Sequence, residues 1–77
     1  MMNEKYLNVF TETFDITAEE ARTLAYQIIP SWDSVGHMQL IAALEETFDI
    51  MLDTDDIIDF SSFEKGKEIL KKYDVEL

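Results

Sequence analysis

Trp32-Asp33-Ser34-Val35-Gly36-His37-Met38-Gln39-Leu40-Ile41-Ala42-Ala43-Leu44-Glu45-Glu46-Thr47-Phe48 is the stretch from which the fold is read. Val35, Met38, Ile41, Ala42, Leu44 and Phe48, with Leu40, recur at three- and four-residue spacing, which predicts a helix of four turns beginning at Ser34. Asp33 suits its N-cap, because the first N–H groups of a helix have no acceptor inside it and a carboxylate just before them supplies one. Asp49 to Asp53 closes the helix.

Working outward, Thr54 to Asp59 holds only Ile57 and Ile58 as apolar members, enough for a single helical turn. Ser61-Ser62-Phe63-Glu64 offers a capping box, and Phe63, Gly66 or Lys67, Ile69, Leu70 and Tyr73 continue a last helix. Upstream, Ile29 precedes Pro30 and is pushed toward an extended backbone, so Ile28 to Asp33 reads as a connection that Trp32 pins to the core. Thr17-Ala18-Glu19-Glu20 matches another capping box, and Ala21, Leu24, Ala25 and Ile28 follow it at helical spacing, which by itself predicts a helix from about 18 to 26. Met2, Tyr6, Val9, Phe10 and Phe14 form one stripe of a first helix that ends near Thr13. No segment alternates long enough to make a strand, so the fold class is all-α. The predicted core is Tyr6, Phe10, Leu24, Leu40, Leu44, Phe48, Ile58, Phe63, Ile69 and Leu70, with Trp32 bracing the connection.

A chain of 77 residues makes one domain, 1–77, that buries about three fifths of its unfolded surface. Six Lys and Arg against 17 Asp and Glu leave a net charge of −11, which a nucleic-acid backbone or anionic membrane surface repels. Basic protein surfaces are the natural partners. At 47% apolar residues the chain is too hydrophobic for a disordered acidic tail, so the charge reads as the coat of a folded domain. The absence of Cys removes disulfides, thiolate metal sites and thiol nucleophiles, and agrees with a reducing compartment. The longest apolar run, Leu40 to Leu44, cannot cross a bilayer. A cytoplasmic monomer without membrane insertion is expected.

Ser34 puts a hydroxyl at the mouth of the longest helix, where unpaired N–H groups and the helix dipole favour a negative group such as a phosphate ester. On position alone, Asp33 or Ser34 is better explained as an N-cap, the commonest reason for such residues before an apolar periodic run. Asp33-Ser34-Val35 resembles the Asp-Ser-Leu motif of the acyl and peptidyl carrier protein family, with Val in place of Leu. Leu40, Leu44-Glu45-Glu46 and Phe48, followed by Ile50 and Leu52, fall where that family has its core leucines, acidic pair and helix-closing Phe, so the resemblance spans about residues 2 to 73.

The resemblance implies an acyl-carrier-like four-helix bundle with a short third helix and a long loop between helices 1 and 2, and hence a shorter helix after Thr17 than the capping box suggests. It implies covalent 4′-phosphopantetheine on Ser34, donated from coenzyme A by a phosphopantetheinyl transferase, with Asp33 part of the recognition motif. Acyl or aminoacyl groups would then ride as thioesters between enzymes of fatty-acid, polyketide or specialised biosynthesis, the chain being no enzyme itself. Val35, Met38 and Ala42 would lie on the exposed apolar side of the recognition helix, and Glu45 and Glu46 on its acidic side, facing basic docking patches of acyl-loading, condensing and acyl-transfer enzymes. On spacing alone Met38 fits the core as well, and Glu45 and Glu46 fit a solvated face. Gln39 stands where fatty-acid carriers often have an acidic residue, and Trp32-Asp33-Ser34-Val35-Gly36-His37 resembles free-standing carriers of dedicated pathways.

Two other chemistries compete with this one. Ser34 and His37 lie three residues apart on one helix, but a chain this small with one His can hardly enclose a triad, an oxyanion hole and a pocket; His37 is expected to face solvent. Asp53, Asp55, Asp59 and Glu64 match some offsets of a calcium loop, yet Ile58 occupies the position that requires Gly, and no metal site is expected. From another class, a small acidic helical adaptor or inhibitor without a prosthetic group would present the same 34–48 helix to a basic partner.

Overall fold

The computed structural model describes residues 2–75, with only the backbone of Met2. Among these residues five helices follow one another: α1 (Met2–Phe14), α2 (Ala18–Arg22), α3 (Ser34–Phe48), α4 (Thr54–Asp59) and α5 (Phe63–Lys71). Among the described residues there is no strand, only one isolated antiparallel bridge between Ala25 and Ser62. The class is all-α.

The start of α2 follows its sequence: the Thr17 hydroxyl accepts from Glu20 N–H while the Glu20 carboxylate accepts from Thr17 N–H. Its end does not. The spacing predicts helix to about residue 26, but α2 stops at Arg22, because the backbone beyond it pairs with the segment before α5. Phe63 N–H donates to Leu24 C=O at 2.9 Å and Tyr26 N–H to Ser61 C=O at 2.9 Å. The connection thus runs over residues 23–33, longer than the predicted Ile28 to Asp33. The cap of α5 also differs from the predicted box: Ser62, not Ser61, accepts from Lys65 N–H, and Glu64 pairs with Lys67 instead.

Tyr6, Val9, Phe10 and Phe14 of α1 are buried, as their stripe predicts; the Met2 side chain, placed on that stripe, lies outside the described residues. They meet Leu40, Ile41 and Leu44 of α3 and Phe63, Ile69 and Leu70 of α5. Trp32 is fully buried, stacked on Phe14 with ring centroids 5.4 Å apart and edge-on to Phe10 at 5.7 Å, so the connection is anchored where the sequence suggests. Two predicted core residues are corrected. Phe48 is only half-buried at the end of α3. Ile58 is 72% exposed, and Phe60 fills the core in its stead.

The turn of α4 that exposes Ile58 is set by Asp56. This carboxylate is buried and accepts from Lys72 Nζ and from the Tyr73 hydroxyl, fastening α4 to the turn after α5. The Tyr73 hydroxyl in turn accepts from Asp53 N–H. With Asp56 facing inward, Phe60 four residues on faces inward too, and Ile58 between them faces out.

Candidate functional site

Ser34 is the first residue of α3, and its side chain has no capping duty. That falls to Asp33, whose carboxylate accepts from Gly36 N–H at 2.9 Å while its carbonyl accepts from His37 N–H at 2.8 Å. Asp33 is therefore the N-cap, and Ser34 is left exposed in front of it. The N–H groups of Ser34 and Val35 have no acceptor within the helix. The connection packs against this end so closely that a Cβ on Gly36 would fall 1.9 Å from Ser31 C=O. Only glycine allows that approach, which brings Ser31 and Trp32 under the mouth of α3.

Beside Ser34 lies a hollow of about 380 Å³, walled by Tyr26 from the connection, Ser34, His37 and Met38 from α3, Ile57 and Ile58 from α4, and Phe60 and Ser61 after it. Its lining is mainly apolar. The Tyr26 hydroxyl stands 3.5 Å from Ser34 Oγ.

His37 does not face solvent, contrary to expectation. Its ring is partly buried, stacked on Trp32 at 6.1 Å between centroids and approached edge-on by Tyr26 and Phe60. Trp32 Nε1–H donates to His37 Nδ1 at 2.9 Å, and His37 Nε2 is 2.7 Å from Ile57 C=O. An indole N–H only donates, so Nδ1 is the acceptor, the proton resides on Nε2, and Nε2–H donates to Ile57. Both nitrogens are occupied, leaving neither to take a proton from Ser34. Ser34 and His37 therefore do not form a nucleophile–base pair in this arrangement.

The other candidates fall on two sides. Val35 is 67% and Met38 57% exposed, and Ala42 is exposed, so the spacing that also fitted Met38 to the core is resolved toward the surface. Glu46 and Gln39 are exposed too. Glu45 is half-buried and serves the fold, since its Oε2 accepts from Leu52 N–H at 2.9 Å and holds the 49–53 turn against the end of α3. The acidic pair is thus divided, Glu46 facing water and Glu45 partly committed to the fold.

Sequence reasoning missed Tyr26, Ile57, Ile58, Phe60 and Ser61 as walls of the hollow. Only tertiary pairing of the connection with residues 61–63 brings Tyr26 there, and no local pattern signals it. Among the described residues no group of three or more His, Asp or Glu side chains is arranged to hold a metal ion, and no helix is long and apolar enough to cross a membrane.

No family model, curated protein or solved structure matches the chain. The reading of the site therefore rests on its residues and their geometry.

Proposed function

We propose that the chain is a carrier protein that bears 4′-phosphopantetheine on Ser34. One observation carries the reading: Ser34, in an Asp-Ser-Val sequence resembling the carrier motif, is the exposed first residue of the longest helix, freed from capping by Asp33. α1, α3 and α5 then correspond to the long helices of a four-helix carrier bundle, α4 to its short third helix, and α2 to a turn within the long loop.

The residues present fit the group. A phosphodiester on Ser34 Oγ would meet the Ser34 and Val35 N–H groups at the positive end of the α3 dipole. In the modification Ser34 Oγ forms the new bond to phosphorus, the pyrophosphate bond of coenzyme A breaks, 3′,5′-ADP leaves, and the hydroxyl proton passes to the transferase. The bound arm supplies the thiol that the cysteine-free chain lacks, holding acyl or aminoacyl cargo as a thioester. Val35, Met38 and Ala42 form an exposed apolar strip on α3 and Glu46 adds charge, a surface suited to enzymes with basic, apolar-centred patches.

Intact mass after incubation with coenzyme A, magnesium and a broad-specificity phosphopantetheinyl transferase tests the reading. The gain of one phosphopantetheine by the wild type, and none by Ser34→Ala, is the expected outcome. No gain on folded protein shown to be unmodified beforehand rejects the carrier and leaves an acidic adaptor that uses the same strip without a prosthetic group.

A further inference from the structure

His37 bonds to both walls of the hollow beside Ser34. Toward the 23–33 connection its Nδ1 accepts from Trp32 Nε1–H, and toward α4 its Nε2–H donates to Ile57 C=O. The second bond has a clear local reason: Ile57 lies in the last turn of α4, where carbonyls have no partner within the helix, and His37 satisfies one of them. The first bond exists only while the imidazole is neutral. Protonated, His37 carries hydrogen on both nitrogens, and the fully buried indole N–H then faces another donor. The bond to Ile57 survives the change and gains from the positive charge.

We propose that His37 is a proton-operated clasp on this hollow: neutral, it ties the connection to α3; protonated, it gives up its bond to Trp32 and loosens the connection wall while keeping hold of α4. Tyr26, whose hydroxyl stands 3.5 Å from Ser34 Oγ, belongs to the same connection, so acidification loosens the wall beside Ser34. The clasp does not depend on whether Ser34 carries an arm.

The ionisable groups on the packed elements are few in kind. Tyr26 faces the ring from the connection. On α3 the Asp33 carboxylate, at the N-cap, is engaged by Gly36 N–H, and Glu45 and Glu46 lie two turns further along. On α4 Asp56 is engaged by Lys72 and Tyr73, and Asp55 and Asp59 are exposed. Carboxylates ordinarily titrate near 4 and phenols near 10. A response between pH 8 and 5 that is absent from the His37→Gln control therefore reports the single His, and the same control separates the α-amino group.

The experiment follows the indole N–H resonance of Trp32, the chain's one Trp, together with the backbone amides of residues 26–32 and 54–59, in ¹⁵N-labelled protein between pH 8 and 5. In the wild type the indole and the 26–32 amides are expected to move on one single-proton curve while the 54–59 amides move much less. At pH 5 the indole proton should exchange with solvent about five- to tenfold faster than in His37→Gln, the equivalent of one lost hydrogen bond. Gln keeps an acceptor and cannot titrate, so its curves should be flat. Should His37→Gln fail to fold, the wild-type imidazole C–H resonances decide: coincidence with the indole curve supports the clasp. A titrating imidazole beside a flat indole overturns it, as do identical curves in the two proteins or loss of the α4 amides together with those of the connection.

Discussion

At the scale of single residues, both glycines mark places where two elements come too close for a side chain. A Cβ on Gly36 would meet Ser31 C=O at 1.9 Å, and one on Gly66 would meet Phe60 Cζ and Tyr6 Oη at 2.2 Å each. Alanine in a helix is ordinarily preferred to glycine by about 1 kcal/mol. Here overpacking reverses the sign, and Gly36→Ala is expected to lose about 1–3 kcal/mol in urea denaturation. A variant as stable as the wild type would mean that the connection does not press on α3 as described. Core side chains follow similar logic. Phe60→Ala should cost about 3–5 kcal/mol, the usual range for a buried Phe, and half-buried Phe48→Ala clearly less; the reverse order in parallel urea curves would contradict the burial. The α1 stripe, most of the α3 core and the Asp33 cap were legible because their spacing is helical and local. Ile58 was misassigned and Phe60 passed over because the rotation of α4 is set by Asp56 finding Lys72 and Tyr73, sixteen and seventeen residues away, which no periodicity encodes.

Between elements, that same contact is the main polar tie of α4 to the end of the chain. The Lys72 ammonium, and after it the Tyr73 hydroxyl, hold the Asp56 carboxyl below the usual carboxylate range. A folded value below the unfolded one means stability that is present above about pH 4, the ordinary carboxylate value, and lost as pH falls through the lower folded value. Asp56→Asn should therefore lower the urea midpoint at pH 7 and differ progressively less from the wild type as pH falls below about 4. A constant gap across that range would show that the carboxylate charge is not what fastens α4. The connection was the other element whose form local periodicity concealed. Its anchor, Trp32, could be read from the chain, but the early end of α2 and the arrival of Tyr26 beside Ser34 both come from backbone pairing between residues 24–26 and 61–63. A helix predicted from periodicity loses to hydrogen bonds made with a distant segment. For the same reason the candidate site was half visible: Ser34 and the exposed strip on α3 lie in one local run, whereas the connection, α4 and the segment before α5 have to fold against it before the hollow and the His37 clasp exist.

For the molecule as a whole, the accessible surface of 4947 Å² is close to the roughly 4,900 Å² that size scaling expects of a folded chain this long. Among the described residues, nearly all the carboxylates and cations fall onto that surface, in a chain with 17 of the former and six of the latter. Among the described residues few of the charges are paired: Lys67 bonds to Glu64 and Lys72 to Asp56. The fold is accordingly held together against its own field, and unfolding moves the charges apart. Added salt screens this repulsion over a Debye length that is about 30 Å at 0.01 M and about 8 Å at 0.15 M. The melting temperature at pH 7 is therefore expected to rise most steeply over the first 0.15 M or so of sodium chloride, whereas a protein stabilised by its surface ion pairs would weaken over the same interval. Replacing exposed Glu46 by Lys removes two units from the net charge and should raise the low-salt melting temperature while flattening its dependence on salt. If the wild-type melting temperature is insensitive to salt below 0.15 M, self-repulsion is too weak to matter and the acidic coat acts only on partners. If it rises as expected, a basic partner surface covering α3 relieves the same repulsion that salt does, so docking should stabilise the fold most at low ionic strength, where the electrostatic part of its affinity is also greatest.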